Sequence, residues 1–189
     1  MKRSSITLTT ILAAGLAAFS QSNGTDQILQ VARATWPGGH TVGIVCSYAR
    51  SGETIRAMMD AFAPGSSVKV IDVRPGWNMD KACSILGNLR PNYVLLLPND
   101  PVVYDGSFEA TKVINRMNQL EIPTLASTPV ALSQGAWAVK GPATGNLLQV
   151  NPALKGYVEA YGTPIDPVRP FAKIREDQPK ATLSVIAAF

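Results

Sequence analysis

The chain has 189 residues, 46% of them hydrophobic, with a formal net charge of +4 and a single His. That length suits one domain with a sizeable core. Lys2 and Arg3 supply half of the excess charge, no Lys/Arg cluster remains beyond them, and the three Trp form no stacking stripe, a pattern that argues against nucleic-acid binding.

The N-terminus reads Met1-Lys2-Arg3, then a mostly apolar run from Ile6 to Phe19, with small residues at Ala18 and Ser20. A basic start, a short apolar stretch and small residues at a cleavage point make a secretory signal peptide. The run is too short to span a bilayer comfortably and carries Ser and Thr on its early turns. Residues 1–20 are therefore expected to be a signal peptide cut after Ser20, leaving a periplasmic or secreted chain with no membrane span.

Ile28, Leu29, Val31, Ala32 and Trp36 recur with the period of one helical face, and Pro37-Gly38-Gly39 stops that helix. Thr41 to Ser47 is a near-continuous apolar run of strand length. Val68 to Val73, Tyr93 to Leu97 and Ile122 to Ala126 repeat the pattern, and Ala136 to Val139 is a weaker fifth run. Between them, Gly52 to Phe62, Met79 to Leu89 and Phe108 to Leu120 read as amphipathic helices. Strand and helix in alternation mark βαβ units, and apolar runs without alternation mark strands covered on both faces. The expected fold is α/β: a doubly wound, Rossmann-like or flavodoxin-like three-layer sandwich of about five parallel strands in the order 2-1-3-4-5. Residues 21–162 form this single domain, with Asn151 to Tyr161 as a further candidate helix. Residues 163–189 read as a Pro-rich and charged tail, in which Ala181 to Phe189 is either a late strand or a frayed end.

The two cysteines, Cys46 and Cys83, would be permitted a bridge in an oxidising compartment. Cys46 falls inside a strand and Cys83 on a helix, and the expectation is two buried free thiols. Their spacing fits no zinc site, and one His cannot complete one.

In open parallel sheets ligands bind outside the carboxyl ends of the strands. That rule nominates Ser47–Ser51, Arg74–Asn78, Pro98–Pro101 and Ser127–Pro129. From these loops the candidate ligand-binding residues are Tyr48, Arg50, Ser51, Trp77, Asp100 and Thr128. Tyr48 and Trp77 offer flat apolar faces, while Arg50 and Ser51 offer a polar or anionic end a partner at a helix N-terminus. The same loops also read as plain structure: Ser51 and Asn78 are good helix caps, and Asn99-Asp100-Pro101 is ordinary turn chemistry.

The stretch Pro91-Asn92-Tyr93-Val94-Leu95-Leu96-Leu97-Pro98-Asn99-Asp100-Pro101-Val102-Val103 resembles the family of periplasmic ABC-transporter substrate-binding proteins, which carry a Leu-Leu-Pro-Asp-Pro motif after a central strand. Leu120 to Ala126, Val130 to Ala136 and the stretch from Val42 to Glu53 follow the same family order, so the resemblance covers roughly residues 40–140. Asn99 is an extra residue between Pro98 and Asp100. The resemblance implies a solute-binding-like domain with a small-molecule solute and a transporter, sensor or homodimer partner. Family members close two such lobes over the ligand, and this chain has material for one.

Ser47 to Thr54 also resembles the flavodoxin phosphate loop, which would imply bound flavin. Ala49 replaces an expected hydroxyl and Glu53 puts negative charge beside the phosphate, so no cofactor is expected. No Gly-x-Ser-x-Gly elbow occurs, and His40, before the first strand, reads as a solvated turn residue, so no catalysis is expected either. A protein–protein interaction module of the cell envelope is the competing non-enzymatic reading.

Overall fold

The apolar runs become the strands of one sheet in a computed structural model of the chain. The structure describes residues 28–29, 32–33, 36, 39–104, 106–126, 128–136, 138–139, 149–150 and 179–188. The expected signal peptide, the candidate helix from Asn151 to Tyr161 and the Pro-rich stretch up to residue 178 lie outside these residues. Among the described residues no helix is long and apolar enough to cross a membrane.

In chain order the strands are β1 (Thr41–Cys46), β2 (Ser67–Asp72), β3 (Tyr93–Leu95), β4 (Thr124–Ala126), β5 (Ala138–Val139), β6 (Gln149–Val150) and β7 (Thr182–Ala187). The helices are α1 (Tyr48–Ala57), α2 (Met79–Leu89), α3 (Phe108–Gln119) and α4 (Pro129–Ser133), with a 3-10 turn at Met59–Ala61. Ile28, Leu29, Ala32 and Arg33 are also helical.

The sheet runs β6-β5-β4-β3-β1-β2-β7. All its neighbours pair in parallel except β5 and β6, which are antiparallel. The α/β class and the three layers are as the sequence implies, but the strand order needs correction. The expected order 2-1-3-4-5 stopped at β2, whereas β7 pairs in register along the whole outer side of β2, from Ser67↔Thr182 to Asp72↔Ala187. Of the two readings left open for Ala181 to Phe189, the strand is the one observed. A pairing partner more than a hundred residues upstream supplies the order that the segment's own sequence does not show.

Alternate strand residues feed two cores. Val42, Ile44, Cys46, Val68, Val70, Tyr93 and Leu95 pack with Ile28, Leu29, Ile55, Met58 and Phe62 on one face. Val45, Ile71, Val94 and Leu96 pack with Met79, Leu86, Val113, Ile114 and Met117 on the other. Strands buried on both faces have no solvent side, which is why their sequences lack polar alternation. Gly43 on β1 is required by this packing: a Cβ there would strike Leu86 Cδ1 and lie 3.2 Å from Pro91 Cγ.

Helix starts follow their caps. Asn78 accepts from the Asp80 amide at 2.9 Å to begin α2, and Ser107 accepts from the Ala110 amide at 3.0 Å to begin α3. The first helix departs from expectation. It begins at Tyr48, not Gly52, so Ser47 stands at the N-cap and Ser51 lies within the helix.

Candidate functional site

Asp100 organises the carboxyl edge of the sheet. It follows β3 and is 2% exposed, yet both oxygens are fully engaged. Oδ1 accepts from the amides of Val102 (2.9 Å) and Val103 (2.8 Å), closing the turn that Pro98-Asn99-Asp100-Pro101 announces. Oδ2 accepts from the Ser47 amide at 2.9 Å and from Ser51 Oγ at 2.6 Å. One buried carboxylate thus joins the loop after β3 to the first turn of α1, satisfying four donors at once.

A second carboxylate reaches the same helix end. Asp72, the last residue of β2, accepts from the Tyr48 amide at 2.8 Å. The N-terminus of α1 therefore already holds two carboxylates, one from the end of β2 and one from the loop after β3. The helix dipole favours them there, and Ser47, whose own side chain makes no capping bond, need not do so. Asp72 is the residue that sequence reasoning missed. The one signal for it was a carboxylate near the carboxyl end of the run Val68 to Val73, which Lys69 also interrupts.

Of the six candidate residues, the structure brings Ser51 and Asp100 into direct contact and anchors Tyr48 beside them through Asp72. Tyr48 is half-buried, with the Arg56 guanidinium 5.4 Å from its ring centre. Arg50 is exposed on the first turn of α1. Trp77 is 43% exposed on the loop after β2, with the Arg74 guanidinium 6.0 Å from its ring centre. Thr128 heads α4 as its N-cap residue and is half-buried. Ser51 is corrected in role: its hydroxyl is buried and donates to Asp100, and it caps no helix.

These contacts also correct the phosphate-loop resemblance. Residues 48–51 are helical, and the Ser47 and Tyr48 amides are taken by Asp100 and Asp72, leaving neither for a phosphate. No protein-family model matches this chain, and no curated protein matches it. The carboxyl edge is thus characterised by its own geometry.

His40 is not the solvated turn residue expected. It is 8% exposed, with its ring 5.3 Å from that of Tyr93 and its Nε2 3.4 Å from the Tyr93 hydroxyl and 3.5 Å from Ser66 Oγ. Trp36 stacks on Tyr93 at 4.9 Å and its ring centre lies 6.4 Å from that of His40, so the two aromatic rings flank the imidazole.

Cys46 and Cys83 are both buried and free, as expected. They sit in the two opposite cores, with the sheet between them. Burial raises the Cys46 thiol pKa, with Asp100 and Asp72 adding to the effect. Burial likewise pushes Cys83 up to about 11. Neither is a reactive thiolate at neutral pH. An open groove of about 360 Å³ lies between α2 and α3, lined by Asp80, Cys83, Lys112 and Arg116 among others. None of the six candidate residues lines it.

Proposed function

We propose that this chain is an exported, non-catalytic domain like one lobe of a solute-binding protein, holding a small molecule against the carboxyl edge of its sheet. It would serve a membrane transporter or a sensor. The observation that supports this most is the Asp100 junction. By tying the loop after β3 to the first turn of α1, it holds the edge in one arrangement before any ligand arrives, which lowers the ordering cost of binding.

The geometry narrows the ligand class. Asp72 and Asp100 already fill the α1 N-terminus, so an anionic group has no place at that dipole. Trp77 and Tyr48 suit a flat apolar body, and Arg50, exposed on the first turn of α1, suits a polar end. A single lobe encloses only part of a ligand, so binding by a monomer is expected on the order of 10 µM or poorer.

A thermal-shift screen of amino acids, nucleosides, sugars and small aromatic acids tests the proposal. The expected result is at least one stabilising compound whose effect is lost in Trp77→Ala and Arg50→Ala. Both residues are exposed, so those variants should keep the unliganded melting temperature. Absence of any hit would sink the small-molecule reading.

The second reading, an envelope interaction module, is favoured by Tyr104 (47% exposed), Phe108 (68%) and Val130 (54%). These stand on the loop after β3 and at the starts of α3 and α4. A Cβ at Gly106 would lie 3.0 Å from Val130 Cγ1, so that loop rests on the α4 start. Exposed apolar side chains grouped this way suit a protein surface. Co-purification of an envelope protein, lost in Phe108→Ala, would favour this reading over the first.

A further inference from the structure

β7 is the outermost strand of the sheet on the β2 side among the described residues. Its amide pattern is unambiguous. The Thr182 amide donates to Ser66 O at 2.8 Å and the Ala188 amide to Asp72 O at 3.1 Å, so the even-numbered residues turn their backbone groups inward to β2. Strand alternation therefore turns the N–H and C=O of Leu183, Val185 and Ala187 outward.

Among the described residues this outward edge lacks the protections that a strand's own sequence can supply. From Thr182 to Ala187 it holds no charge and no Pro, two of the features by which sheet edges discourage a further strand. Val185 is 44% exposed. Leu183 continues the Ile55 and Phe62 core, and Ile186 continues the Leu86 core on the opposite face. Both cores thus run out to this edge only partly covered.

We propose that β7 is the interface of a homodimer, pairing antiparallel with β7 of a second copy to make one continuous sheet. A two-fold axis perpendicular to the sheet preserves its faces, so like-parity residues must oppose each other. Pairing of outward-facing groups demands the same parity independently. The register that uses all three outward-facing residues sets Val185 against its own copy on the axis and Leu183 against Ala187. No charged residue falls within the paired stretch, so no like charges oppose each other. An isologous interface needs such self-complementarity. Antiparallel pairing also sends the two carboxyl edges to opposite ends of the joint sheet, so this dimer assembles the protein without closing a cleft over the proposed ligand edge.

Sedimentation of the full chain tests this, with the expectation of a species of twice the chain mass. Val185→Pro removes only an outward N–H, which an edge strand tolerates, and should give a monomer with its folded signature intact. Should that variant fold poorly, a cysteine pair of variants still decides. Opposed residues exchanging both hydrogen bonds have Cα atoms about 5.5 Å apart, within disulfide reach. Val185→Cys should therefore cross-link to its copy under mild oxidation, whereas Ala187→Cys should not. A monomeric wild-type chain at all concentrations, or equal cross-linking by the two variants, would overturn the proposal.

Discussion

Ser51 and Asp100 are joined by a 2.6 Å hydrogen bond between side chains that are 6% and 2% exposed, from segments 49 residues apart. The short distance is that of a hydroxyl donating to a carboxylate. This bond makes the helix after β1 and the turn after β3 a single unit, and every property proposed for the carboxyl edge depends on that unit.

Asp100→Ala should therefore be severe. It leaves the Ser47, Val102 and Val103 amides and the Ser51 hydroxyl without their acceptor in a buried site. Unsatisfied buried donors cost about 1–3 kcal/mol each, so a loss of roughly 3 kcal/mol or more is expected in urea denaturation. Asp100→Asn keeps one oxygen for the turn but sets an amide against the Ser47 N–H, and should lie between wild type and Asp100→Ala. Equal stability of all three proteins would refute the bridging role.

Gly43→Ala probes the packing between β1 and α2. The added methyl meets Leu86 Cδ1 and Pro91 Cγ in a filled core. Overpacking of this kind costs about 1–3 kcal/mol. The double variant Gly43→Ala with Leu86→Ala should be less destabilised than the sum of the two single changes, because the methyl then fills the space vacated. Strict additivity would show that the contact does not set the cost.

Ser107→Ala removes the side-chain acceptor of the Ala110 amide at the start of α3. The expected loss is about 1 kcal/mol. Ser47→Ala should cost less at α1, because the Ser47 side chain makes no capping bond there and Asp72 and Asp100 take the amides. Urea midpoints of the two variants compare the caps directly.

Both thiols should be silent in the folded protein at pH 8 and both should react after denaturation without reductant. Stability should also fall with alkaline pH. Burial, reinforced by Asp80 and opposed by Arg116 and Lys112, raises Cys83 to about 11, against roughly 8.5 in an unfolded chain. Above the unfolded value the denatured chain has lost a proton that the native protein retains. The native state is therefore progressively disfavoured between about pH 8.5 and 11, and Cys83→Ala should reduce that slope. Cys46 shifts in the same sense and contributes with the same sign.

Much of the architecture is legible in residue periodicity. The uninterrupted run Thr41 to Cys46 is a strand covered on both faces, and Ile55, Leu86 and Ile114 mark the buried stripes of their helices. Such patterns are local because each position's burial follows from the repeat of its own element. Turn chemistry was equally local at Asn78, which sits where α2 begins.

The carboxyl edge was legible only in part. Candidate residues could be placed there because strand ends and loops are readable, but their roles could not. Ser51 looked like a cap and proved to be a donor to Asp100, because the start of α1 is set by carboxylates from β2 and from the loop after β3 and not by its own sequence. His40 looked solvated beside Gly38 and Gly39, and Trp36 and Tyr93 flank it.

By itself, then, the sequence determined the alternation of strands and helices, the doubly covered sheet and the separation of the two thiols into different elements. Tertiary structure alone decided that Asp72 and Asp100 occupy the α1 N-terminus and that Thr182–Ala187 completes the sheet beside β2. The physical reason is range. Periodicity reports how one element meets its surroundings, whereas a buried carboxylate or an edge strand is defined by partners dozens of residues away, as Lys69 Nζ and Ser184 Oγ, 115 residues apart and 3.2 Å from each other, show.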